Sequence, residues 1–244
     1  AFGVSMASNA ATTPAPAAEA ATAESRKLAD LVDAYFEEQL KLNPLLATSI
    51  GDPRYNDRFE VTISPAWRAR DEQVEREFLE RIRAIDPSLL TGQDALTYEI
   101  FKSAREREIE GFRFPGHLIP VNQFYSVPNS FAQLGSGNGL HPFKTVKDYE
   151  DFLKRIDGFV AWTDQAIVNM REGIAKGYTL PKVLVERTLP QLASQIVDKP
   201  EDSLYWGPVK NLPASFTAEE QARLTAAYRA AIATQVIPSY RRLH

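Results

Sequence analysis

Cysteine is missing from all 244 residues. That absence excludes disulfides, thiolate metal sites, cysteine nucleophiles and lipid attachment through a cysteine within these residues. Histidine is scarce as well: His117, His141 and His244 are the three, none is paired with another at i+3 or i+4, and no HExxH or HxxE pattern occurs. A zinc site needs three or four converging ligands, so this spacing predicts no metal site, and both internal histidines read as loop residues bonding to backbone. No run of 18 apolar residues exists, which excludes a membrane-spanning helix. An excess of one charge is lacking too, with 28 basic against 32 acidic residues and a net charge of -4. The basic residues form no run, so nucleic acid is not an expected partner. GxSxG, SxxK and cysteine–histidine signatures of nucleophilic hydrolysis are absent. "LGSGNG" (Leu134 to Gly139) lacks the preceding strand and the lysine of a phosphate loop and reads as a turn.

What is present is apolar periodicity: 44% of residues are hydrophobic and 10% aromatic, enough for a substantial core. Leu28, Leu31, Val32, Tyr35, Phe36, Leu40 and Leu42 follow helical spacing from Glu24 until Asn43-Pro44 stops them. Ser64-Pro65 opens a second helix as N-cap and N1, with a core stripe of Trp67, Val74, Phe78, Ile82 and Ile85. Thr91 caps a third, whose stripe is expected at Leu96, Ile100, Phe101 and Ala104 and whose "KSAREREIEG" end is expected to be a solvated charged face. Thr145 and Asp148 form a capping-box signature before a long apolar stripe, with Gly158 as a possible joint between two helices and Gly177 as C-cap. Pro181 starts another helix through Val185, Leu189 and Leu192. Thr217 and Glu220 cap a final one through Leu224, Tyr228, Ile232 and Val236. The best strand candidate is "FEVTI" (Phe59 to Ile63), and it is too short to change the class. The expectation is all-α: an irregular multi-helix array with long ordered loops.

The two ends differ from the middle. Residues 1–25, "AFGVSMASNAATTPAPAAEAATAES", open apolar and carry the small-x-small triplets Ser5-Met6-Ala7 and Ser8-Asn9-Ala10. They read as a signal-peptide remnant followed by a disordered Ala/Pro/Thr-rich tether, so a periplasmic or secreted protein is expected. Residues 26–244 read as one helical domain. Its last amphipathic pattern runs to His244 without a cap, so truncation at the C-terminus is expected.

Between the third and fourth helices lies "PVNQFYSVPNSFAQLGSGNGLHPF", Pro120 to Phe143, which no periodicity explains. Unstructured loops beyond about 12–15 residues are usually functional or disordered, and the aromatics here argue against disorder. Asn122, Gln123, Tyr125 and Asn129 are its candidate substrate-binding residues. Amides donate and accept, so they suit either a peptide substrate or the protein's own chain, and bracing of the loop is the favoured reading because buried coil must satisfy its polar groups.

"NPLLATSIGD", "PVNQF", "HPFKTVKDYEDFLKRI" and "DQAIVNMREGIAKGYTLPKVLVER" together resemble the bacterial domain-of-unknown-function 885 family. Its members are exported proteins similar to HExxH zinc metallopeptidases of the gluzincin type. The resemblance runs from about Leu28 to His244 and implies the N-terminal part of a larger, mostly helical metallopeptidase-like fold. Zinc, its HExxH helix and a downstream glutamate are implied for a C-terminal half, and no residue here matches a zinc ligand or general base. Implied partners are that half of the polypeptide and a peptide substrate, with these helices as one wall of the substrate channel, inactive alone. The competing expectation is a stand-alone helical binding or scaffold module.

Overall fold

The structure is a computed structural model that describes residues 16–124 and 126–244. Ten α-helices occur among the described residues, with no strand. Alanine is the best helix former, and the Ala/Glu-rich tract carries the first helix, α1 (Pro16–Leu42), eight residues upstream of Glu24. Part of the expected tether is therefore helical; the triplets of the expected signal lie outside the described residues. Asn43-Pro44 ends α1 as the sequence predicts, and a short α2 (Pro44–Ser49) follows at once.

Local cap chemistry places the next elements. Ser64 accepts a hydrogen bond from the Trp67 amide at 3.2 Å and opens α3 (Pro65–Arg83). Thr91 stands at the N-cap of α4 (Gly92–Gly111) but contributes no side-chain bond. Leu28, Leu31, Val74, Phe78, Ile82 and Tyr98 of α1, α3 and α4 form one apolar cluster. The face that α4 buries is only partly the expected one: Phe101 packs against this cluster, whereas Leu96 and Ile100 are 59% and 65% exposed. Arg105, expected on a solvated face, is buried against Glu75 at 2.7 Å, an ion pair too bent to be a hydrogen bond. It also lies over the Tyr35 ring at 3.9 Å, while the Tyr35 hydroxyl donates to Glu75 at 2.8 Å. Burying that carboxylate without partners would cost several kcal/mol, so its needs rotate α4 away from its most apolar stripe.

A second, larger cluster surrounds α6 (Val146–Lys176), which is closed by the predicted Thr145–Asp148 box and by Gly177 at φ 79. Around it pack α5 (Val127–Gly135), α7 (Lys182–Ala193), the short α8 (Gly207–Lys210), α9 (Ala218–Ala231) and α10 (Ile237–Leu243). Gly158 is not a joint; α6 is continuous through it. A Cβ there would lie 2.3 Å from the Phe59 carbonyl oxygen, so glycine permits contact between α6 and the 59–63 segment. That segment, the strand candidate, is irregular. Between α9 and α10 the chain makes a π turn over Ile232–Val236, just ahead of Pro238. Proline cannot donate to the preceding turn, and the wider turn keeps Ile232, Val236, Ile237 and Tyr240 all buried.

Candidate functional site

The predicted 120–143 loop is interrupted by α5, whose Phe131 stacks on Phe159 with ring centroids 4.4 Å apart. Short helices with a proline near the first turn escape periodicity arguments, because nine residues span only two and a half turns. The start of α5 is pinned from the core: Tyr205 donates to the Tyr240 hydroxyl at 2.8 Å, and Tyr240 donates to the Pro128 carbonyl at 2.6 Å. Burial raises the pKa of both phenols, so both remain protonated donors.

This anchoring presents Asn129 to α7. Its Nδ2 donates to Oε1 of Gln191 at 2.7 Å, and Gln191 Nε2 donates to the Gln123 carbonyl at 3.3 Å. Asn122 Oδ1 accepts the Phe124 amide at 2.8 Å, an Asx turn that leaves the Phe124 ring 75% exposed. Asn129 and the backbone of Gln123 are thus brought together by Gln191; Asn122 shapes the turn beside them. Tyr125 lies outside the described residues. Gln191 is the residue sequence reasoning missed. It follows Pro190 inside α7, and that interior proline was the one visible sign of an unusual helix.

Beside this amide cluster is an apolar cavity of about 110 Å³, lined by Val121, Met170, Leu180, Val185, Leu189 and Leu192 among others. Among the described residues no titratable side chain lines it. On the same stretch of chain Ile174, Tyr178, Val183 and Val185 are exposed. Such an arrangement can bind through amides and apolar contact; among the described residues the hydroxyl on its wall, that of Thr188, donates to the Leu184 carbonyl at 2.8 Å.

The histidines are elsewhere. His141 is buried, as the sequence reading requires of a backbone-bonded loop residue: Nε2 donates to the Asp148 carbonyl at 2.8 Å. Nδ1 accepts from Arg155 at 2.8 Å, which fixes the neutral tautomer. Burial first, and the adjacent Arg155 charge, bring its pKa down to about 4 despite the Asp148 bond. His117 departs from expectation: its buried Nδ1 has no partner among the described residues, and only its carbonyl is used, by Asn169 at 3.0 Å. Among the described residues no group of three or more His, Asp or Glu side chains is placed to hold a metal ion.

Residues 44–244 match the family described as "Bacterial protein of unknown function (DUF885)". The chain belongs to that family. For the DUF885 chain, no curated protein sequence matches. Among solved structures, one titled "The crystal structure of the putative lipoprotein from Colwellia psychrerythraea" superposes with a TM-score of 0.70 at 16% identity. The match covers 89% of this chain and 40% of that one, so the chain spans less than half the length of that structure. At such identity the likeness shows a shared fold.

Proposed function

We propose that this DUF885 chain is the helical substrate-channel-wall portion of an exported zinc-metallopeptidase-like protein. The observation that carries the reading is the pairing of the Gln191-linked amides with the apolar cavity under α7. A peptide offers alternating N–H, C=O and side chains; amides meet the first two and an apolar cavity meets the third. Exposed Ile174, Val183 and Val185 beside it supply a surface for the remainder of a longer polypeptide. The 40% coverage of the superposed structure is consistent with such a remainder. Periplasmic or secreted location rests on the family resemblance and on that neighbour's description as a lipoprotein.

The described residues do not suit zinc: both His141 nitrogens are engaged, and His117 belongs to no group of three or more potential ligands. Zinc held elsewhere in a longer polypeptide would polarise a carbonyl and activate water. What these residues contribute is binding and orientation, worth much of a barrier when the scissile bond is held in place. In a polypeptide that includes the remaining family sequence, Gln191→Ala and Asn129→Ala should raise KM for peptides about tenfold, on the order of 1.4 kcal/mol. Thermal stability should fall far less. Chelator-sensitive peptide hydrolysis by the 244 residues alone, with contaminants excluded, would overturn the proposal. A stand-alone binding module is the second reading, favoured by the lack of titratable groups among the described residues that line the cavity; it predicts peptide binding in titration calorimetry with no turnover from the longer polypeptide.

A further inference from the structure

An open cleft of about 370 Å³ lies where the end of α1, the 58–61 segment and the first turns of α3 meet. Its size falls within the range of about 300–1,000 Å³ for small-molecule sites. The Trp67 indole N–H donates to the Leu42 carbonyl at 3.2 Å, a bond that ties α3 to the end of α1 and fixes the cleft between them. Leu42, Phe59, Val61, Ala66 and Trp67 give it an apolar lining. Its polar lining is Lys41, Arg58, Arg70, Glu60 and Ser64, and the Ser64 hydroxyl oxygen is already engaged as the cap of α3. None of these residues lines the cavity under α7.

Charge separates this cleft from others on the molecule. In a chain of net charge -4, its lining carries three cations and one carboxylate. A cleft between α3 and α4 is balanced, with Arg76 and Arg83 against Glu80 and Glu106, and another along α3 sets Arg76 against Glu72, Glu77 and Glu80. Within the basic cleft Lys41 is paired with Glu38 and Arg58 with Glu60. Both pairs are partly exposed, and such pairs contribute little and yield readily to a competing charge. Arg70 is exposed, and its side chain has no partner among the described residues. Trp67 and Arg70 are three residues apart and so share one face of α3. One uncommitted cation calls for one negative charge, whereas a dianion would have to open an existing pair. We propose that this cleft binds a monocarboxylate carried on an apolar body about the size of a phenyl ring. Arg70 donates to the carboxylate, which the planar guanidinium fork suits, and the body packs on Phe59, Val61 and Trp67. The inference does not rest on the channel-wall reading.

The test is titration calorimetry on the 244-residue chain. 3-Phenylpropionate should bind saturably, and its neutral isostere 3-phenylpropionamide about tenfold more weakly, the usual worth of a bond to a charged group. Arg70→Gln, at an exposed position without a partner, should weaken the acid by about the same tenfold factor and leave the amide unchanged. Ala66→Trp, which fills the cleft from an exposed position, should weaken both. N-acetyl-phenylalanine outbinding 3-phenylpropionate would make the natural carboxylate a peptide terminus, and the reverse order a free acid; either supports the cleft. Absence of saturable binding, equal binding of acid and amide, or an acid affinity untouched by Arg70→Gln would each overturn the proposal. Tighter binding of phenyl phosphate than of the acid would overturn the single-charge assignment.

Discussion

Two single residues, one held by α6 and one within it, carry consequences that outweigh their size. His141, held by α6 through Asp148 and Arg155, has its folded pKa lowered to about 4 from an ordinary 6.5. Between those values the unfolded chain binds a proton that the folded one refuses, so stability rises with pH across the window. The contribution is complete above about pH 6.5 and is lost as pH falls towards 4. From pH 7 to 5 the loss should be roughly 2 kcal/mol at about 1.4 kcal/mol per unit. Urea melts of the wild type and His141→Gln at both values check it, since the variant lacks this part of the slope whatever the carboxylates do. Gly158 tests competing effects. Alanine favours a helix interior by about 0.5–1 kcal/mol, yet a Cβ 2.3 Å from the Phe59 carbonyl forces backbone apart, at about 1–3 kcal/mol for overpacking. The clash should win, and Gly158→Ala should lower the urea midpoint.

At the scale of elements, what could be read in the sequence was what is decided locally. The Ser64, Thr145 and Thr217 caps and the Gly177 terminus rest on bonds within one turn, and residue type alone announces them. What is decided by a distant partner was not legible. The face of α4 follows from Glu75 and Tyr35 on other helices, which pull Arg105 inward. The amide cluster needs Gln191 to meet Asn129 across 62 positions of chain, and α5 hides in a segment rich in glycine and amides. The face of α4 gives a direct check. Leu96→Glu and Ile100→Lys should leave thermal unfolding within about 0.5 kcal/mol of wild type, as exposed substitutions do. Tyr98→Ala, at a buried position, should cost about 3–5 kcal/mol by the usual loss for a buried aromatic. Had Leu96 and Ile100 been core residues, the order would reverse.

For the whole molecule, the question is how the α1–α3–α4 cluster and the α6 cluster become one body. The connection from Thr48 to Ile63 runs between them, and α6 grips it with one face. Residues 155, 158, 162 and 169 recur at intervals of three, four and seven, the spacing of a helix stripe. Arg155 is fully buried and donates to the Arg58 carbonyl at 3.1 Å, the Tyr55 carbonyl at 3.2 Å, Thr48 Oγ1 at 2.5 Å and His141. Asn169 donates to the Ile63 carbonyl at 2.9 Å. Burial lowers the Arg155 pKa to about 10, which leaves it charged at neutral pH, with Asp151 and Asp57 opposing the shift. A buried cation held by carbonyls, a hydroxyl and an imidazole is stable only while every donor has its acceptor. Arg155→Met keeps much of the volume but leaves the Arg58 carbonyl and His141 Nδ1 without their donor, each unpaired buried group costing about 1–3 kcal/mol, while the Tyr55 carbonyl keeps the Arg58 amide and the Thr48 hydroxyl keeps Asn56 Oδ1. Some of these groups will reach water by releasing the connection, so the loss should be local before it is global. Hydrogen exchange should therefore show residues 44–63 of Arg155→Met losing protection first, while the amides of α6 and α9 stay protected. Uniform loss across both clusters would instead make the guanidinium a general core element rather than the tie between them.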